Sequence, residues 1–172
     1  MNITEENTVG EAKDFLHNHW EDGCKCPACS QYVKLYKRKI TSAMAYGLVL
    51  LYNHIKETKP RPVHIEDFFK EKNCPSSVRG DFAKLRWWGL IDRHDEKPGF
   101  YSLTPKGQFF VNGTVEVPRY CMIFNNKCYG FSNERTDIDR ALGDEFSYSE
   151  LMGKSFEPKY KTTAIQTKMF NS

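Results

Sequence analysis

Apolar residues recur at helical spacing from Val9 to Trp20, where Val9, Ala12, Phe15, Leu16 and Trp20 form one face and Gly23 closes the segment. A short helix is expected there. From Gln31 to Lys56 a longer stripe of Tyr32, Leu35, Tyr36, Ile40, Met44, Leu48, Leu51 and Ile55 predicts the longest helix, with a break near Thr41-Ser42. Ala43, Ala45 and Gly47 leave room for close packing, and Pro60 and Pro62 end the helix because proline lacks an amide proton and restricts its predecessor. A second helix is expected over Ile65 to Lys72 with Ile65, Phe68 and Phe69 inward, then a turn at Asn73-Cys74-Pro75.

A third helix follows to about Trp88, with Ser76 as N-cap and Val78, Phe82 and Leu85 within one arc. Gly89 closes it in the left-handed conformation. The pattern then changes to alternation. Leu90 to Arg93 and Phe100 to Leu103 read as two short strands around the turn-forming tip Asp95-Glu96-Lys97-Pro98-Gly99. Thr104 caps the next helix and Pro105 occupies its first turn, where a missing donor costs nothing.

Beyond Gly113, branched and aromatic residues dominate Thr114 to Pro118 and Tyr120 to Phe131. A two-residue turn at Asn125-Asn126 makes a hairpin in which Ile123 faces Cys128. Short helical pieces are expected at Asp137 to Gly143 and Ser147 to Met152, a loose arm at residues 1–8 and a polar tail at 153–172. The segments thus predicted are 1–31, an N-terminal helix and cysteine element; 32–113, the central helices and strands; 114–152, the hairpin and short helices; and 153–172, the tail.

Composition changes this picture little. With 40 % apolar and 27 % charged residues the chain reads as an ordinary folded protein, neither disordered nor fibrous. The longest apolar run, Ala43 to Tyr52, is about half of the roughly 20 residues a membrane helix needs, and no export signal is visible, so a cytoplasmic protein is expected.

The net charge of +3 says less than its distribution. Glu5, Glu6, Glu11, Asp14, Glu21 and Asp22 make the first part acidic against Lys13, whereas Cys24 to Val63 carries Lys25, Lys34, Lys37, Arg38, Lys39, Lys56, Lys59 and Arg61 against Glu57. A basic surface is expected near the start of the long helix.

The order helix, strand, turn, strand, helix from Leu85 to Gly107 is that of a wing. Asp81-Phe82-Ala83-Lys84-Leu85-Arg86-Trp87-Trp88-Gly89-Leu90-Ile91-Asp92-Arg93, followed by Tyr101-Ser102-Leu103-Thr104-Pro105-Lys106-Gly107, resembles winged helix-turn-helix transcriptional regulators over about residues 64–113. The chain as a whole also looks similar to small bacteriophage proteins with a Cys-Pro-x-Cys knuckle. These resemblances imply an α+β, mainly helical fold with a winged helix-turn-helix core, an N-terminal zinc knuckle and a C-terminal hairpin.

They also imply non-catalytic binding of double-stranded DNA, as a phage or bacterial transcription regulator. A helix-turn-helix lays its second helix in the major groove, while flanking cations meet phosphates. Ser76, Gly80, Ala83, Lys84 and Trp87 lie opposite the apolar arc, Arg79 and Arg86 stand to one side, and Lys97 sits on the wing. Gly80 and Ala83 permit close approach, and the expected DNA contacts are Ser76, Arg79, Lys84, Arg86, Trp87 and Lys97. The competing reading is a winged-helix adaptor for another protein, since Asp81, Asp92, Asp95 and Glu96 weaken the positive field and Trp87 and Trp88 suit a protein interface. Many helix-turn-helix proteins also pair with a second copy.

Cys26-Pro27-Ala28-Cys29 has the spacing at which two thiolates wrap one tetrahedral ion, and Cys24 adds a third sulfur. Structural zinc held by Cys24, Cys26 and Cys29 is expected, because soft thiolates suit it. His19, His64, Cys121 and Cys128 are open candidates for the fourth ligand. Reduced cysteines without metal, or a redox pair, are the bland alternative. The five histidines are scattered and no phosphate-binding glycine loop occurs, so no enzyme is expected.

Overall fold

The computed structural model describes residues 6–153; the first five residues of the expected arm, and the expected tail beyond Gly153, lie outside the described residues. The elements run α1 (Val9–His19), β1 (Cys24–Lys25), β2 (Tyr32–Val33), β3 (Tyr36–Lys39), α2 (Ser42–Glu57), β4 (Val63–His64), α3 (Ile65–Glu71) and α4 (Ser76–Asp81). A 3-10 segment, Phe82–Trp88, continues α4 into β5 (Ile91–Arg93), β6 (Phe100–Leu103), α5 (Pro105–Val111) and β7 (Val117–Pro118). Then come β8 (Tyr120–Phe124), β9 (Lys127–Phe131), β10 (Arg135–Thr136), α6 (Ile138–Leu142) and α7 (Tyr148–Met152). The class is α+β, with small antiparallel sheets between the helices.

Two compact units emerge: residues 1–38 with 120–131, and residues 39–119 with 132–172. The hairpin therefore groups with the N-terminal segment rather than with the short helices that follow it.

In the first unit, α1 starts at a reciprocal cap, with the Thr8 hydroxyl accepting from Glu11 N at 3.2 Å and Thr8 N donating to Glu11 Oε2 at 2.7 Å. The Thr8 backbone N–H, then the Thr8 hydroxyl and the Asn7 amide, donate to the Glu11 carboxyl and hold it below its ordinary value. β1 and β2 form a small hairpin that carries the cysteine loop, and β3, β8 and β9 form a sheet in that order. Asn125 and Asn126 both have positive φ, 46° and 56°, as the two-residue turn requires, and Ile123 opposes Cys128 as expected. Trp20 of α1 packs on Phe124 and Tyr129, ring centroids 5.5 and 4.8 Å apart.

The expected helix from Gln31 is corrected here: Tyr32–Val33 and Tyr36–Lys39 are strands, and the helix begins at Ser42. Tyr32 and Tyr36 are exposed, so the apolar spacing there never became a buried stripe. Cys26 N donates to Gln31 O at 2.7 Å and Leu35 N to Trp20 O at 2.8 Å, which commits this backbone to the hairpin. Thr41 then caps α2, its hydroxyl accepting from Met44 N at 3.3 Å.

In the second unit, α2 supplies the centre of the core through Met44, Ala45, Leu48, Val49 and Leu51. Gly47 matters because a Cβ there would come within 3.0–3.1 Å of Val78, Phe69 and Phe82, so its absence lets α3 and α4 approach α2. Phe69 and Phe82 meet edge to face at 5.1 Å. Trp88, expected at a surface, is instead 2 % exposed and donates its indole N–H to Pro118 O at 2.8 Å.

Candidate nucleic-acid interface and cysteine knuckle

The helical segment after the Asn73-Cys74-Pro75 turn is not one regular helix. Pro75 occupies the N-cap position without a side-chain bond, Ser76 is the first helical residue rather than the cap, and the α-helix tightens to 3-10 at Phe82. Val78, Phe82 and Leu85 are buried, as their spacing requires. Gly89 closes the segment at φ +69°.

The two strands that follow are antiparallel, with Ile91 opposite Leu103 and Arg93 opposite Tyr101. Sequence reading missed the third strand, β4, which pairs Val63 with Tyr101 and His64 with Phe100. Its signal was two residues long. Gly99, at φ +83°, lies under the His64 ring, where a Cβ would come 2.6 Å from Nε2, and Ile65 N donates to Gly99 O at 3.1 Å.

The base of the projection is tied to the end of the 3-10 segment. Thr104 Oγ1 donates to Gly89 O at 2.7 Å and accepts from Gly107 N at 2.9 Å, while Lys106 Nζ donates to Trp88 O at 2.8 Å. Gly107 permits this approach, because an added Cβ would lie 2.1 Å from Leu90 O. Leu103-Thr104-Pro105-Lys106-Gly107 is thus a clamp between strand and helix end.

The expected contact residues do not share one fate. Ser76 and Lys97 are exposed, and an added Cβ at Gly80 would meet nothing within 4 Å among the described residues, which leave that flank of α4 open. Arg79 is half-buried and donates from Nη1 to Glu66 Oε1 at 3.0 Å, while its Nε has no hydrogen-bond partner among the described residues. Lys84 is held by Asp81. Arg86 and Trp87 are half-buried, Trp87 tilted against Trp88 with centroids 6.4 Å apart, and Lys97 lies 6.0 Å from the Phe100 ring centroid. Two of the four cations are therefore already engaged by carboxylates. Arg93, exposed on β5, is a cation of the projection that sequence reasoning left unassigned.

In the knuckle, the β1–β2 hairpin brings Cys26 and Cys29 together. Backbone N–H groups of Cys29 and Ala28, then the Cys29 side chain, hydrogen-bond Cys26 and hold its thiol below the ordinary value. Ser30 N donates to Cys26 O at 2.8 Å, and Ser30 adopts φ +59° to turn the loop back. Cys24 sits on β1 opposite Val33. Among the described residues, no group of three or more His, Cys, Asp or Glu side chains is placed to hold a metal ion.

The open candidates for a fourth ligand have neighbours of their own. His19 Nδ1 lies 2.7 Å from Phe15 O and its ring stacks on Phe15. His64 Nδ1 lies 2.7 Å from Asp67 Oδ2 in the second unit. Cys121 and Cys128 neighbour one another, and burial, followed by Cys128, pushes the Cys121 thiol up to about 12.

Among the described residues no helix is long and apolar enough to cross a membrane. Comparison with known proteins found no matching family model, curated protein or solved structure.

Proposed function

We propose that the chain is a non-catalytic, winged helix-turn-helix protein that binds double-stranded DNA through the Ser76–Trp88 segment and the β5–β6 wing. One observation supports this above others: the described residues leave the flank of α4 around Ser76 and Gly80 uncovered, and the 3-10 segment that continues α4 ends at a strand pair clamped to it. A helix with an open small-residue flank suits the major groove, and a fixed projection suits an adjacent backbone. Arg86, Arg93 and Lys97 carry the phosphate contacts in this reading. Arg79 and Lys84 contribute less, because Glu66 and Asp81 already offset them. Transcription regulation in a phage or bacterial host is the setting this activity suits.

The reading includes a structural zinc ion at the knuckle, with Cys26 and Cys29 as its paired thiolates; Cys24 would have to move to join them as the third, since among the described residues no three such side chains stand together. The amide N–H groups around Cys26 favour its charged form, which is the form that binds metal. When bound, zinc supplies a cross-link across the β1–β2 loop.

The DNA reading is tested by fluorescence anisotropy of a labelled duplex between about 50 and 200 mM salt. Affinity should fall steeply, with a slope of about 0.9 per phosphate neutralised, and Arg86→Ala with Lys97→Ala should flatten the slope by about 2. Absence of duplex binding by the wild type at the lowest salt refutes the reading and favours the protein adaptor.

A further inference from the structure

The strands of the first unit have a charge pattern that the wing does not explain. Residues 24–38 and 120–131 carry Lys25, Lys34, Lys37, Arg38 and Lys127 and contain no Asp or Glu; the carboxylates of the unit are confined to residues 1–23. In β3 every residue is exposed, on both faces of the strand. Lys25, Lys34 and Arg38 have no carboxylate within ion-pair distance among the described residues, and Lys37 lies over the Tyr120 ring, 4.1 Å from its centroid.

Aromatic rings interleave with these cations. Tyr36 is 49 % exposed, and among the described residues its ring faces no other aromatic ring, only the Arg38 guanidinium 5.7 Å from its centroid. Phe131 on β9 is also about half exposed. An isolated lysine on an edge strand commonly serves only to prevent strand pairing with another molecule. That role needs no uncovered rings and no exclusion of carboxylates from every strand of the sheet.

We infer that the strands of the first unit bind single-stranded nucleic acid, with Tyr36 and Arg38, which share one face of β3, forming a platform for an unpaired base and Lys34 meeting an adjoining phosphate. The chemistry separates this ligand from duplex DNA. In a duplex the base faces are already stacked, so exposed rings gain nothing, whereas an unpaired base offers its face to tyrosine and guanidinium alike. The inference goes beyond the duplex reading and does not depend on it, since it uses a different unit and different residues.

The test measures anisotropy of labelled oligo-dT, oligo-U and a mixed-sequence duplex with the full chain. Both single strands should bind, and Tyr36→Ala with Arg38→Ala should weaken them about tenfold, equivalent to about 1.4 kcal/mol. Tyr36→Phe should retain affinity within about twofold, because stacking needs the ring and not the hydroxyl. Circular dichroism of each variant checks that the fold is kept. Arg86→Ala with Lys97→Ala should leave single-strand binding intact, so failure of the wing reading and failure of this one give different patterns. Any of three results overturns the inference: a wild type that binds neither single strand at low salt, a Tyr36→Ala/Arg38→Ala protein that binds as tightly as wild type, or a Tyr36→Phe protein as weak as the alanine variant.

Discussion

A single thiol shows how burial governs chemistry in this molecule. Cys121 is 0 % exposed, and its value of about 12 means the folded chain holds the proton more tightly than the unfolded chain. Its contribution to stability is therefore complete below the ordinary thiol value and is lost as pH rises from there toward about 12, since the unfolded chain ionises first. Urea unfolding at about pH 8 and about pH 10 should show alkaline destabilisation that Cys121→Ala reduces. Some slope should persist, because burial also raises Tyr46 and Cys74. An unchanged slope in the variant contradicts this account. Individual apolar residues such as Val78, Phe82 and Leu85 were legible from spacing, but the roles of Gly107 and Lys106 were not. Both depend on Leu90 and Trp88 being brought to them by the turn of the chain.

Elements with local chemical signals were the most legible. The hairpin turn is one: two consecutive asparagines adopt left-handed backbone that most side chains avoid. Replacing Asn126 by Val should cost about 1–2 kcal/mol, measured as a shift in the chemical-unfolding midpoint, whereas Asn126→Gly should cost nothing or stabilise. The start of α2 was less legible. Tyr32, Leu35 and Tyr36 fit helical spacing, yet three positions do not separate a helix from strands when the competing hydrogen bonds come from Trp20 and from within the cysteine loop. The two-residue β4 lay below any periodic signal, because its partner, β6, is remote in sequence. Likewise, the tightening of the helix at Phe82 had only Gly80, two residues earlier, as a local signal.

At the scale of the whole molecule, two units divide the evident chemistry. The second has the larger apolar core, while α1 in the first contributes no fully buried residue, so the proposed metal cross-link would matter more to the first. Chelation, or Cys26→Ser with Cys29→Ser, should remove about one zinc per chain by elemental analysis. It should also raise hydrogen exchange in peptides covering β1 and β2 and leave α2 unchanged. A metal-free preparation with full protection in that hairpin would remove the zinc from the reading. The grouping of the hairpin with the N-terminal segment was illegible in linear order, since β3 and β8 are paired across the whole of residues 39–119.

That discontinuity bears on biosynthesis. The ribosome delivers β3 long before β8 and β9, so the early segment waits with a bare sheet edge while the second unit's central stretch is made. The lysines and arginine that would meet a nucleic acid would in the meantime also discourage that edge from pairing with other nascent chains. A chain cut after Arg119 retains the cysteine loop yet lacks the strand on which β3 closes, and it should be caught by chaperones or degraded.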